Sequence, residues 1–257
     1  MPEQWVSKRV LIVVRTYPTP AVKGVEVSCT AGITDDGQWI RLFPVPYRFL
    51  EADQRFRKYQ TISANFRRAR GDQRPESYNI DVDSLKIRSQ PLTTRNNWAE
   101  RKAVLAGLTA PSLCALETER EQKGAPTLGF FRPSEIGHLE IRETSPNWSE
   151  AQLARLQQNP LFGPMPSRQL EKLPYEFRYR FKCDEAACEG HNLMCTDWEM
   201  GQAYRSWKQQ YGDGWEEKYR QRFETEMIEL NDTHFYVGTV HRFPGTWLIV
   251  GLFYPRK

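Results

Sequence analysis

Three of the chain's five cysteines and one of its four histidines fall within thirteen residues, as Cys183-x4-Cys188-x2-His191-x3-Cys195. Thiolate sulfur and imidazole nitrogen are the donors that Zn²⁺ prefers, and three Cys with one His complete a tetrahedron, leaving no position open for water or substrate. The run therefore predicts a closed, structural metal site with Cys183, Cys188, His191 and Cys195 as ligands. Zinc is the expected ion, with an iron–sulfur cluster as the alternative, because soft thiolates also hold iron. Without metal, the same run is a cysteine-rich turn with free or buried thiols. Cys29 and Cys114 stand far away in sequence and are expected not to contribute.

The remaining sequence excludes several classes of protein. At 257 residues with 12% aromatic side chains, the chain can bury a sizeable core as one large domain or two small ones. An odd number of cysteines, most of them clustered, and a start that lacks a basic segment followed by a long apolar run predict a reducing, cytoplasmic setting. The longest apolar runs, 10–14 and 247–253, are far too short to cross a bilayer and read as buried strands, so no membrane role is expected.

Residues 8–88 read as short strands and turns: 9–15, 25–33, 38–43, 59–66 and 80–87. Pro44 and Pro46 end the third strand because neither can donate to a sheet ladder. That spacing fits a small barrel. The middle reads as helical, with helices over 97–108 and 112–122, two short strands over 127–131 and 138–141, and a further helix beginning at Ser149. The run 159–166, rich in proline and glycine, is the linker candidate. The expected fold class is α+β, with a β-barrel domain and its helical extension over 1–158 and a metal-stapled β-α-β module over 167–257.

The second part opens on a clean alternation. Tyr175, Phe177, Tyr179 and Phe181 share one face of a strand while Arg178, Arg180 and Lys182 share the other. The aromatic face is either core or a stacking platform beside a phosphate-binding surface. Asp197 can cap a following helix, with Glu199 in its first turn; in an extended stretch the same two carboxylates would share a face and hold Mg²⁺. A second helix spans 215–230, and a hairpin over 235–243 and 247–254 closes the chain.

A net charge of +4 permits a nucleic-acid partner without requiring one. The local distribution is more pointed, since Arg55, Arg57, Lys58, Arg67, Arg68 and Arg70 crowd one region and arginine suits bidentate contact with phosphate. The segment 27–33, Val-Ser-Cys-Thr-Ala-Gly-Ile, followed by Gly37-Gln38-Trp39-Ile40-Arg41-Leu42-Phe43, resembles the dual OB-containing domain of bacterial conflict systems over about a quarter of the chain. The Cys-x4-Cys-x2-His cluster leading into Asp197-Trp198-Glu199 is similar to a group of uncharacterised bacterial proteins. The first resemblance implies a small β-barrel of a kind often used to hold single strands, with Trp39 and Arg41 placed to stack on or clamp one.

Three functions follow as expectations. The first is an accessory protein that binds DNA or RNA, single-stranded, within an antiviral defence complex that includes protein partners. The second is a metal-dependent nuclease or nucleotide-processing enzyme using Asp197 and Glu199. The third is a protein-interaction scaffold. A Gly-rich phosphate loop, a nucleophile elbow and a His-Glu-x-x-His pattern are all absent from the sequence, which removes the most familiar enzyme classes.

Overall fold

Val10 and Ile12, Ile40 and Leu42, and Ile62, Ala64 and Phe66 alternate along three segments with residues of the opposite face, and in the structure, a computed structural model, they meet in one core. The structure describes residues 4–21, 25–158, 166 and 168–257. Its first unit comprises Met1–Leu92 and Ser145–Pro174, and its second Thr93–Thr144 and Tyr175–Lys257.

In the first unit, β1 (Val6–Arg15), β2 (Thr19–Pro20), β3 (Glu26–Thr34), β4 (Trp39–Val45), β5 (Thr61–Arg68) and β6 (Ser77–Ile87) form one sheet in the order β1-β5-β6-β4-β3-β2. An additional β1–β3 pairing closes five of these strands into a barrel. Leaving out the two-residue β2, the barrel runs first, second, third, fifth, fourth, and the third and fifth strands are parallel. This is an OB-like barrel. Closure needs Gly32, where β3 crosses β1: a Cβ there would lie 2.6 Å from the Leu11 carbonyl oxygen.

The second unit begins with α1 (Arg95–Leu105), β7 (Thr109–Ala110), α2 (Leu113–Lys123), β8 (Leu128–Phe131) and β9 (Glu135–Glu143). The chain then returns to the first unit through α3 (Glu150–Leu156), capped reciprocally by Ser149 and Gln152. There Leu156 and Leu170 join Tyr17, Val25 and Phe49 in a second small core, and Trp148 Nε1 donates to the Leu170 carbonyl at 2.9 Å. Back in the second unit come β10 (Tyr175–Lys182), β11 (His191–Cys195), α4 (Trp198–Tyr211), α5 (Trp215–Arg220), a π-helical continuation Gln221–Leu230, β12 (His234–Val240) and β13 (Phe243–Phe253). The seven strands lie in the order β7-β8-β12-β13-β11-β10-β9. No helix among the described residues is long and apolar enough to cross a membrane.

Mixed α and β structure and the N-terminal barrel match the sequence expectation. The middle of the chain is where it fails. Residues 93–144 do not extend the barrel: β8 pairs with β12 and β9 with β10, so the middle supplies two strands to the second sheet. Only 145–174 returns to the barrel, so the expected division into 1–158 and 167–257 is replaced by an interleaved one. The partner of β8 lies about a hundred residues away and that of β9 more than thirty, so neither short strand carries a local signal of its pairing. The linker candidate 159–166 falls outside the described residues except for Pro166.

The first unit also holds a buried acid. Glu26 is 3% exposed, its Oε2 accepts from Arg48 Nη1 at 2.9 Å, and its Oε1 is buried without a hydrogen-bond partner. Burial outweighs the Arg48 guanidinium and pushes the carboxyl up to about 7 from an ordinary value of 4.5. A raised carboxyl binds its proton more tightly folded than unfolded, so its favourable contribution is complete below pH 4.5 and is lost as pH rises through 7. Glu26→Gln should therefore remove a decline in stability between those limits, read by urea unfolding at a series of pH values. An unchanged pH profile would contradict the assignment.

Candidate metal centre

β10 ends at Lys182 and β11 begins at His191. Antiparallel pairing of Phe181 with His191 forces residues 183–190 into a tight connection. Gly190 makes its turn with φ of +100°, a conformation that favours glycine. The amide of Cys183 donates to Cys188 Sγ at 3.3 Å, drawing the two sulfurs to one side. His191 stacks on Phe181, with ring centroids 5.1 Å apart, so its ring is held before any ligand arrives.

The fourth sulfur comes from elsewhere in the chain. Cys114 stands in the first turn of α2, whose N-cap Ser112 accepts from the Ala115 amide at 2.9 Å and whose hydroxyl also donates to Glu185 in the β10–β11 connection. Cys114, Cys183, Cys188 and His191 bring their ligand atoms within 4.8 Å of one another. From His191 Nε2 the sulfurs of Cys114, Cys188 and Cys183 lie at 3.3, 3.4 and 3.5 Å. Metal–sulfur bonds of ~2.3 Å and a metal–nitrogen bond of ~2.0 Å at a tetrahedral angle place sulfur and nitrogen about 3.5 Å apart. The group therefore has the dimensions of a single tetrahedral ion's ligand shell and is compatible with a metal such as zinc.

Burial, followed by contact with the neighbouring sulfurs, pushes the Cys114 thiol far up, and burial also raises Cys183. At Cys188 burial is outweighed by hydrogen bonds from the Cys183 and Gly190 backbone, and its thiol is lowered. A bound dication would reverse the first two shifts by holding all three as thiolates.

The geometry corrects the sequence-derived ligand set. Cys183, Cys188 and His191 converge as expected, whereas Cys195 does not and Cys114 takes its place. His191 and Cys195 sit on one strand, and four residues of extended chain separate them by about 13 Å. Cys195 is instead buried in the sheet, opposite Phe177 and Ile249. Nothing in the 183–195 spacing points to Cys114. Its signal was the Ser-Leu-Cys sequence at a helix start, where amide groups and the dipole favour a thiolate.

The carboxylate candidates do other work. Asp197 caps α4: its Oδ1 accepts from the Glu199 amide at 2.7 Å, and its Oδ2 accepts from the Leu252 amide of β13 at 2.9 Å. Asp197 is 2% exposed and both oxygens are already committed, so it is not poised as an Mg²⁺ ligand. Glu199 accepts from the Tyr254 hydroxyl at 3.4 Å.

The aromatic stripe of β10 is core. Phe177 stacks on Tyr219 at 4.4 Å, Tyr175 meets Trp215 at 5.0 Å, and the Tyr179 hydroxyl donates to the Phe223 carbonyl. On the opposite face Arg178 donates to the side chain and carbonyl of Asn192, and Arg180 lies 3.6 Å from Glu140. Arg178 also lies 3.7 Å from Glu176, so both cations are partly neutralised.

The barrel disperses the arginine cluster. Arg55, Arg57 and Lys58 precede β5, while Arg67, Arg68 and Arg70 lie at or beyond its far end. An eight-residue strand separates the two groups by about 23 Å. Arg55 donates to the carbonyls of Leu50 and Arg48; Arg68 donates to those of Arg74 and Pro75; Arg57 and Arg70 are exposed. Arg67 and Arg68 point to opposite faces of β5. Trp39 is half-buried, and Arg41 is only 1% exposed beside Ser77, where a strand cannot reach it.

The family model described as Domain of unknown function (DUF8757) matches residues 109–257, and that described as Domain of unknown function (DUF8758) matches residues 6–107. No curated protein matches the chain. Cys114 and the 183–191 connection fall inside the first of these matches, so the four donor residues belong to one matched region.

Two substitutions separate the roles assigned above. Cys114→Ser should release most of the bound metal, while Cys195→Ser should leave the metal-to-protein ratio at the wild-type value, as measured by elemental analysis. The reverse order would restore the sequence-derived ligand set. Asp197→Ala should lower stability by about 2 kcal/mol through loss of the cap and of the Leu252 partner, without changing metal content.

Proposed function

The chain belongs to the family DUF8757, whose model matches more than half of it, and we propose that it is a nucleic-acid-binding accessory protein: the barrel holds single-stranded DNA or RNA, and one zinc ion clips the second unit. The observation that carries the first part is the strand order of the barrel, closed by β1–β3 with β4 and β6 parallel. Barrels of this kind present curved outer walls to single strands, and sequence-tolerant binding needs only stacking side chains with cations beside them. Exposed Arg57 and Arg70 at the two ends of β5 supply positive charge along a path longer than one nucleotide. A place within a bacterial defence complex, with protein partners, extends this reading from the sequence resemblance.

Zinc is favoured over an iron–sulfur cluster by the distances. A cluster distributes its ligands over separate irons and holds them well apart, whereas here four donor atoms lie within 4.8 Å of one another. Cys114, Cys183, Cys188 and His191 fill the tetrahedron, so the ion's contribution is to folding. It would tie the start of α2 to the β10–β11 connection. The enzyme reading loses its carboxylate pair to the α4 cap.

Binding to labelled single strands and duplexes, followed by fluorescence anisotropy between 50 and 200 mM salt, tests the proposal. The expected result is a preference for single strands and an affinity that falls steeply with salt, because phosphate contacts release counterions. Purification free of nucleic acid with no salt-dependent affinity would leave the scaffold reading in its place.

A further inference from the structure

Four side chains line up on the outer wall of the barrel, one just before β1 and the others on β5, β6 and β4. Val6 pairs with Phe66, which sets Trp5 beside Arg67. Arg67 pairs with Asn79 on β6. The parallel register of Leu42 with Tyr78 carries Phe43 to Asn79, whose Nδ2 donates to the Phe43 carbonyl at 2.9 Å. Phe66 and Leu42 face the core, so their chain neighbours Arg67 and Phe43 face outward. The row is Trp5, Arg67, Asn79, Phe43.

Its chemistry is unusual for a solvated wall. Trp5 and Phe43 are 41% and 43% exposed, two large aromatic surfaces left in water at either end. Between them the Arg67 guanidinium lies 4.6 Å from the Trp5 ring centroid, and Arg67 Nε is buried without an acceptor. Three steps between strands of ~4.8 Å put the rings about 14 Å apart, far enough to receive two separate bases. The face more often used by such barrels is closed here. On β3 and β4, Ala31 and Arg41 are each 1% exposed, and Arg41 feels the charges of Asp72, Arg74 and Glu76 from the β5–β6 connection.

We propose that the row Trp5, Arg67, Asn79 and Phe43 is the surface that holds single-stranded nucleic acid, with a base stacked on each aromatic ring and Arg67 on the phosphate between them. This names the site for the reading given under the proposed function and rests on it. Stacking on a π-face tolerates any base, and a guanidinium already lying along an indole presents its remaining donors outward. Asn79 Oδ1 is the acceptor for a base N–H, such as thymine N3–H, since its Nδ2 is already engaged.

The test uses the full-length, metal-loaded chain and fluorescein-labelled oligothymidylate, read by anisotropy at several salt concentrations. Trp5→Ala with Phe43→Ala should weaken binding about tenfold or more with the salt slope kept, because stacking releases no counterions. Arg67→Glu should weaken binding and lower the slope by about one. Trp5→Phe with Phe43→Tyr should bind nearly as wild type, since a ring remains at both ends. If the double alanine variant melts lower, Phe43→Ala alone carries the test, as Phe43 lies outside the barrel core. Wild-type affinity in Trp5→Ala/Phe43→Ala with unchanged melting would overturn the row while the barrel remains a binder. Absence of any salt-dependent binding by the wild type would overturn both readings.

Discussion

Four donor atoms from two distant segments meet within 4.8 Å, and a single ion held there would tie the start of α2 to the β10–β11 connection. Sixty-eight residues separate Cys114 from Cys183. An ion bridging so long a loop would constrain the unfolded chain by only about 1.5 kcal/mol more than one across the thirteen-residue run, because the gain grows with the logarithm of length. Helix α2, a three-turn element with few buried residues, is held at its start by the bond between Ser112 and Glu185. Helices α4 and α5 need no such device against the sheet. There Phe177, Tyr179, Tyr204, Trp215 and Tyr219 bury large rings against one another, and aromatic area of that kind dominates core energetics.

The two units divide the physical tasks. The barrel closes by hydrogen bonding all the way round, and only its outer wall and mouths remain to meet a ligand. The second unit spends its charged residues on itself. Glu140, held down to about 2 by hydrogen bonds from Arg142 and Asn192, draws in Arg180 as well, and Arg220 is shared between Glu216 and Glu224. Surface pairs of this kind add little stability, yet they leave less free positive charge on that sheet than the sequence alone suggests.

What the sequence disclosed follows the range of the interaction. Alternation along β10 is a local property, and it located that strand and its aromatic core face; the barrel strands β1, β4 and β5 were legible as local apolar runs. The cap at Asp197 and the closing hairpin were legible in the same way. Contacts that depend on distant partners were hidden. The strand β11 begins at His191, which stretches the chain and takes Cys195 out of reach, and no spacing rule anticipates that a cysteine will fall inside a strand. Arg41 alternates in sequence like an exposed residue but is covered by the β5–β6 connection, and β5 itself holds apart arginines that are close in number.

The central claim is that one tetrahedral ion is bound by three sulfurs and one nitrogen, with Cys114 among them. X-ray absorption at the metal edge of the purified protein tests it most directly. The account predicts a zinc edge whose first shell contains three sulfurs at ~2.3 Å and one nitrogen at ~2.0 Å, with one sulfur lost in any metal that Cys114→Ser retains. An iron edge with metal–metal scattering, or a shell unchanged by Cys114→Ser, would contradict it.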